Sequence, residues 1–243
     1  LIHINKSHAR RSKADEIFKE ITLSQDTHNI WVLLKKYSSE TLSDAANFTK
    51  ESYSGIINGF INKDIRALQK INSALSRRIG IQKKIQQREL FTLQRVNKNW
   101  ILEKSTWLHL TNNCTEQMIY CLKRITTPCI KHMQTDPISL PEPFTKELTT
   151  AGSFLETFIL HIKNSIETAN YNNYEQLFFT SNHISEEFSR IRRRLMEHIQ
   201  KDEKKVPNAF NIYLHLLQES EELIYTLRLL LRASRKFQAD HRF

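Results

Sequence analysis

The feature that most limits how this chain can fold is its shortage of helix breakers. It has four glycines and five prolines in 243 residues, where ordinary usage is about 7% and 5%. Three of the five prolines crowd into one stretch, Gln134 to Pro143 (QTDPISLPEP). Long helices with few turns follow, and the proline-rich stretch is the clearest linker. With 40% hydrophobic residues the chain can bury a sizeable core, as one elongated domain or two small ones. No run approaches the ~20 apolar residues that a membrane-spanning helix requires, and no charged-then-apolar leader opens the sequence, so a soluble body is expected. The chain starts at Leu1 with no initiator Met; a piece of a longer protein is the expectation, although processing would leave the same start.

Residues 1–25 read as an exposed basic lead-in carrying His3, Lys6, His8, Arg10, Arg11 and Lys13, with a short helix through Ile21. Asp26 suits an N-cap, and Ile30, Leu33, Leu34, Leu42, Ala45, Phe48 and Ile56 recur at helical spacing up to Gly59–Asn62. A polar turn, Asn62-Lys63-Asp64, precedes a second helix marked by Ile65, Leu68, Ile71, Leu75, Ile79 and Ile85, with Gly80 as a weak point. A third helix from about Asn97 carries Trp100, Trp107, Leu110, Cys114, Met118, Cys121 and Ile125. Between the two, Leu90 to Val96 fits either a turn or continuous helix. Pro143 opens a fourth helix, Tyr171-Asn172-Asn173 is a second polar turn, a fifth helix spans Tyr174 to Lys201, and a sixth runs from Pro207 to about Phe237. Short turns force neighbouring helices antiparallel. The expected architecture is therefore all-α: two tandem antiparallel three-helix bundles, 26–133 and 144–243, joined by the linker 134–143 in an elongated six-helix domain.

An internal repeat supports two halves. Trp107 to Ile125 (WLHLTNNCTEQMIYCLKRI) resembles Tyr213 to Leu231 (YLHLLQESEELIYTLRLLL): both open aromatic-Leu-His-Leu, and both place a Glu nine residues on, Glu116 and Glu222. The offset there is 213 − 107 = 106. Ile119-Tyr120 matches Ile224-Tyr225 at an offset of 105, and a slip of one residue turns a helix by about 100°. Cys114, Cys121 and Cys129, in one predicted helix and without zinc-type pairing, read as buried reduced thiols. The net charge of +10 permits nucleic acid, anionic lipid or an acidic partner and selects none of them. No recognition-helix pattern or aromatic platform points to nucleic acid. No phosphate loop, H-E-x-x-H or nucleophile elbow points to catalysis.

These residues resemble a family. Two tandem three-helix bundles, each with its distinctive residues on the third helix, look like the PhoU fold. LKRITTPCIKH, the proline loop and YLHLLQESEELIYTLRLLLRASRKF further resemble the cytosolic C-terminal domain of PiT-type inorganic phosphate permeases of Bacteroides-like bacteria. The resemblance implies a non-catalytic regulatory domain at the cytoplasmic face of the inner membrane. Its partner would be the permease portion of the same polypeptide; a homodimer and contact with the membrane surface are also open. The alternative is a free-standing PhoU-like regulator that binds metal, and a third reading is a basic helical adaptor for membrane or nucleic acid.

The family's E-x-x-x-D pair, which holds iron or zinc, carries over to Asn112 and Glu116 in the first half and to Gln218 and Glu222 in the second. Carboxylates four apart share a helical face, but the first of each pair is here an amide. A metal cluster would lose charge compensation, so no cofactor is expected; Fe or Zn, with Glu219, Glu221, His109 and His215 nearby, is the alternative. Glu40-x-x-x-Asp44 has the same spacing on the first helix and reads as a solvated face. Arg77, Arg78, Lys83 and Lys84, with Arg190, Arg192, Arg193 and Arg194, have two readings. They form a positive end facing anionic headgroups or a partner, or they are solubilising residues paired with Glu186, Glu187 and Glu197 at helical spacing.

Overall fold

Local chemistry sets most helix boundaries in the computed structural model, which describes residues 12–96, 98–135, 140–201 and 208–239. Among them the chain forms seven helices, α1 (Lys13–Leu23), α2 (Thr27–Ile61), α3 (Ile65–Leu93), α4 (Lys98–Thr135), α5 (Glu142–Glu167), α6 (Tyr174–Lys201) and α7 (Asn208–Gln238), and no strand. Residues 1–11 of the lead-in, Asn97, residues 136–139 of the linker, the Trp100 side chain and Pro207 lie outside the described residues. No described helix is long and apolar enough to cross a membrane.

Three N-caps are side-chain oxygens that accept an orphan backbone N–H of the first turn. Ser12 accepts from Asp15, Asp26 from His28 and Asp64 from Ala67. The two polar turns close alike. Asp64 N–H returns to the Gly59 carbonyl at 2.8 Å, and Asn170 N–H returns to Ser165 at 3.1 Å. Each turn puts a non-glycine residue in the left-handed region, Lys63 at φ 56 and Ala169 at φ 51, which is the shape of a helix end usually given to glycine.

α4 and α7 form the most extensive helix pair. Lys104 Nζ donates to the Lys236 and Ala239 carbonyls at 2.8 and 2.5 Å, and Arg124 meets Glu219 further along, so the two run antiparallel. α2 packs along α5, while α3 lies against α2 and α4, and α6 against α5 and α7. One apolar cluster runs through α2 to α7. At its heart the Tyr53 hydroxyl and Ser220 Oγ are hydrogen-bonded at 2.9 Å. A second cluster lies where α1 covers α2 and α3, with Ile17 and Ile21 against Leu34, Tyr37, Ile85 and Phe237. Trp31 meets Phe237 edge-on at 5.5 Å, as expected of a packing residue.

The two long central helices repeat with an offset of 105. Leu108, Thr111, Asn112, Cys114, Thr115, Met118 and Ile119 are buried, and so are Tyr213, Leu216, Leu217, Glu219, Ser220, Leu223 and Ile224. Asn113, Gln117 and Tyr120 are exposed, and so are Gln218, Glu222 and Tyr225. At 106, the offset of the Leu-His-Leu match, buried Asn112 would correspond to exposed Gln218. By burial, the positions that correspond to Asn112 and Glu116 are Leu217 and Glu221, one residue before Gln218 and Glu222, which the sequence match pairs with them.

Candidate functional site

Asn112 is tied into the α3–α4 interface. Its Nδ2 donates to Glu89 Oε2 at 2.6 Å, and its Oδ1 accepts from Gln82 Nε2 at 3.0 Å. Gln82 also reaches Thr115 Oγ1 at 3.2 Å. Glu89 is buried, and loss of water around the carboxyl pushes it up to about 8 against the opposing pull of the Asn112 hydrogen bond, so it holds a proton near neutral pH. Glu116 is half-buried on the edge of a recess of about 170 Å³ shared with Glu89 and His109.

On α7, Gln218 and Glu222 are exposed. Their neighbours are committed elsewhere: Glu219 accepts two bonds of 2.8 Å from Arg124 Nε, and Glu221 accepts from Ser189 Oγ and Arg192 Nη1, each at 2.9 Å. His215 Nε2 meets the Arg124 carbonyl at 3.0 Å. That carbonyl is special because Pro128, four residues on and inside α4, has no N–H to offer it. Among the described residues no three or more His, Cys, Asp or Glu stand together as metal ligands would. Cys114, Cys121 and Cys129 are buried and free, and burial pushes each thiol up to about 12.

The expected basic patch separates into two groups. Arg78 is buried, donates from Nη1 to Asp44 Oδ2 at 2.5 Å and lies over the Phe48 ring at 5.2 Å. Arg190 pairs with Glu187, Arg192 with Glu221, and Arg194 with Glu147. Arg77, Lys83, Lys84 and Arg193 are exposed and make no ion pair among the described residues. Of the pairings expected at helical spacing, Arg190 with Glu187 is present, while Arg192 and Arg194 reach across to α7 and α5.

No protein family, curated protein or solved structure matches the chain. Its chemistry is therefore read from its own geometry.

A cleft of about 440 Å³ opens where α1, α2 and α3 meet. α3 supplies Arg78, Lys84 and Arg88 with Ile81 and Ile85 between them, α2 supplies Tyr37, Glu40, Thr41 and Asp44, and α1 supplies residues 12–15. Glu40 and Asp44 thus line an open cleft, with Asp44 exposed, as the solvated-face reading expects, and Glu40 half-buried. Lys13 pairs with Glu40 at 2.6 Å, Arg88 with Asp15 at 2.7 Å, and Arg78 with Asp44. The Arg88 guanidinium also lies over the Phe18 ring at 4.7 Å. Hydrogen bonding to Arg88 and to Ser12 holds the Asp15 carboxyl below the usual range. Two polar atoms here are buried without a hydrogen-bond partner, Arg78 Nη2 and the Tyr37 hydroxyl. A buried unsatisfied donor costs about 1–3 kcal/mol. An exposed lead-in with a short helix through Ile21 does not by itself imply the cleft; the signal for it is Ala14, Ile17, Phe18 and Ile21, an apolar three-to-four spacing that buries α1 against α2 and α3.

Proposed function

We propose that this chain is a non-catalytic regulatory domain of an inorganic phosphate permease, acting through protein–protein contacts at the cytoplasmic face of the inner membrane. In this reading 26–133 and 144–243 are two PhoU-like three-helix repeats on either side of the linker. The observation that carries it is the shared burial register of α4 and α7 at an offset of 105, together with their antiparallel packing, which is what a duplicated three-helix unit packed through its third helices would have. The sequence resemblance supplies the phosphate permease. The exposed Arg77, Lys83, Lys84 and Arg193 are the cations left to meet a partner or anionic headgroups.

The test is an in-frame deletion of this coding stretch from the host gene, with uptake of labelled phosphate measured in phosphate-starved and phosphate-replete cells and permease abundance checked by immunoblot. The ratio of starved to replete uptake should collapse severalfold while transport persists. An unchanged ratio at unchanged abundance would remove the proposal.

A further inference from the structure

The cleft between α1, α2 and α3 has a pattern of satisfied and unsatisfied groups that points to a missing acceptor. Its three carboxylates, Asp15, Glu40 and Asp44, are each taken up by a cation from another helix. The cations are not used up in return. Lys13, Arg78, Lys84 and Arg88 against three acids leave a surplus of 4 − 3 = +1, and Lys84 is exposed with no ion pair among the described residues. Arg78 is only 6% exposed and Tyr37 only 1%, yet Arg78 Nη2 and the Tyr37 hydroxyl have no partner. The Arg88 guanidinium stands at hydrogen-bonding range of the hydroxyl but outside the geometry of a well-formed bond. Every orphaned atom in the lining can donate.

A planar guanidinium presents parallel donors suited to an oxyanion. Asp44 holds the Nη1 side of Arg78, which fixes the plane and leaves the buried Nη2 without an acceptor. Beside these donors stand Ala14, Ile81 and Ile85, with Ile81 47% exposed. That apolar wall would be idle against a bare inorganic ion, and the cleft volume of about 440 Å³ falls within the range of pockets for small organic ligands. We infer that this cleft binds a small organic oxyanion, with a carboxylate or phosphoryl head on Arg78, Tyr37 and Lys84 and an apolar body against Ile81 and Ile85. Lys13 and Asp15 belong to α1, so an occupant also fastens α1 onto α2 and α3. The inference is independent of the permease reading.

The test uses the full chain, isotope-labelled for NMR, titrated at constant ionic strength with phenyl phosphate, benzoate, inorganic phosphate and benzylamine. Amides around Tyr37, Arg78 and Lys84 should shift saturably with phenyl phosphate or benzoate, and which of the two binds more tightly identifies the head group. Inorganic phosphate should bind about tenfold more weakly, and benzylamine, with the same ring and the opposite charge, should leave the cleft unmoved. Tyr37→Phe keeps the ring and removes only the unpartnered hydroxyl, so folding is preserved; affinity should fall about tenfold, the loss of one hydrogen bond to a charged group. Lys84→Ala, at an exposed site, should weaken binding about threefold. Absence of saturable shifts, equal binding of benzylamine, inorganic phosphate binding as tightly as phenyl phosphate, or affinity unchanged in both variants would each overturn the inference.

Discussion

The contact between His215 and the Arg124 carbonyl makes a sharp prediction. Pro128 lacks the N–H that would close the helical bond to residue 124, and the ring nitrogen of His215 stands at 3.0 Å from that oxygen. A carbonyl only accepts, so Nε2 carries the hydrogen and α7 supplies the donor that α4 lacks. His215 is half-buried, so water replaces part of the lost bond in His215→Ala, and the cost should be about 1 kcal/mol, the ordinary net value of one hydrogen bond. In a chain of this size that lowers Tm by ~2–4 °C. Pro128→Ala returns a backbone N–H to α4, after which the carbonyl no longer depends on His215. The same His215→Ala change made in the Pro128→Ala background should then cost close to nothing. Urea unfolding of the four proteins gives a double-mutant cycle with a coupling of about 1 kcal/mol. Equal losses in both backgrounds would refute the compensation and reduce His215 to a surface contact.

Three further outcomes follow from the same kind of reasoning. Glu89 is raised to about 8 by burial, so the folded state holds a proton that the unfolded chain releases at ordinary carboxylate pH; stability is greatest at low pH and falls as pH rises through this window. At about 1.4 kcal/mol for each pH unit of difference, the loss between about pH 5 and pH 8 is on the order of 4 kcal/mol. Glu89→Gln, whose amide oxygen can still accept from Asn112, should flatten that dependence in denaturant titrations at several pH values. Gly80 has open space where a Cβ would go, whereas a Cβ on Gly59 would come within 3.0 Å of the buried Leu68 side chain. Gly80→Ala should therefore stabilise by about 1 kcal/mol and Gly59→Ala should destabilise by about 1–3 kcal/mol, both read from chemical denaturation. Ala169, left-handed at φ 51, should gain about 1 kcal/mol on replacement by glycine, seen as a rise in Tm.

What was legible in the sequence was what neighbouring residues decide among themselves. Asp26 caps α2 as its place predicts, and the turns at Asn62-Lys63-Asp64 and at Tyr171-Asn172-Asn173 separate the expected helices. The junction that allowed either a turn or continuous helix is a turn after Leu93. What depends on a helix far away in the chain was not legible. Asn112 reads as a worn ligand position until Gln82 and Glu89 arrive from α3. Arg194 has Glu197 at helical spacing but pairs with Glu147, and Arg192 pairs with Glu221, because packing brings α7 and α5 to their side chains. The repeat shows the same division. Leu-His-Leu aligns by identity at 106, whereas the side chains that face the core align at 105, and only a three-dimensional neighbour can say which face is inward.

The three thiols of α4 have a practical consequence. Cys114, Cys121 and Cys129 are 3%, 0% and 0% exposed, so a soluble alkylating reagent meets none of them while α4 stays packed, and their raised ionisation slows it further. Each labelling event therefore counts an opening of the molecule around its central helix pair. Mass spectrometry of the three sites over time would turn these cysteines into clocks for local and global unfolding, and the spread among their rates would show whether α4 leaves its partners as one body or frays from an end.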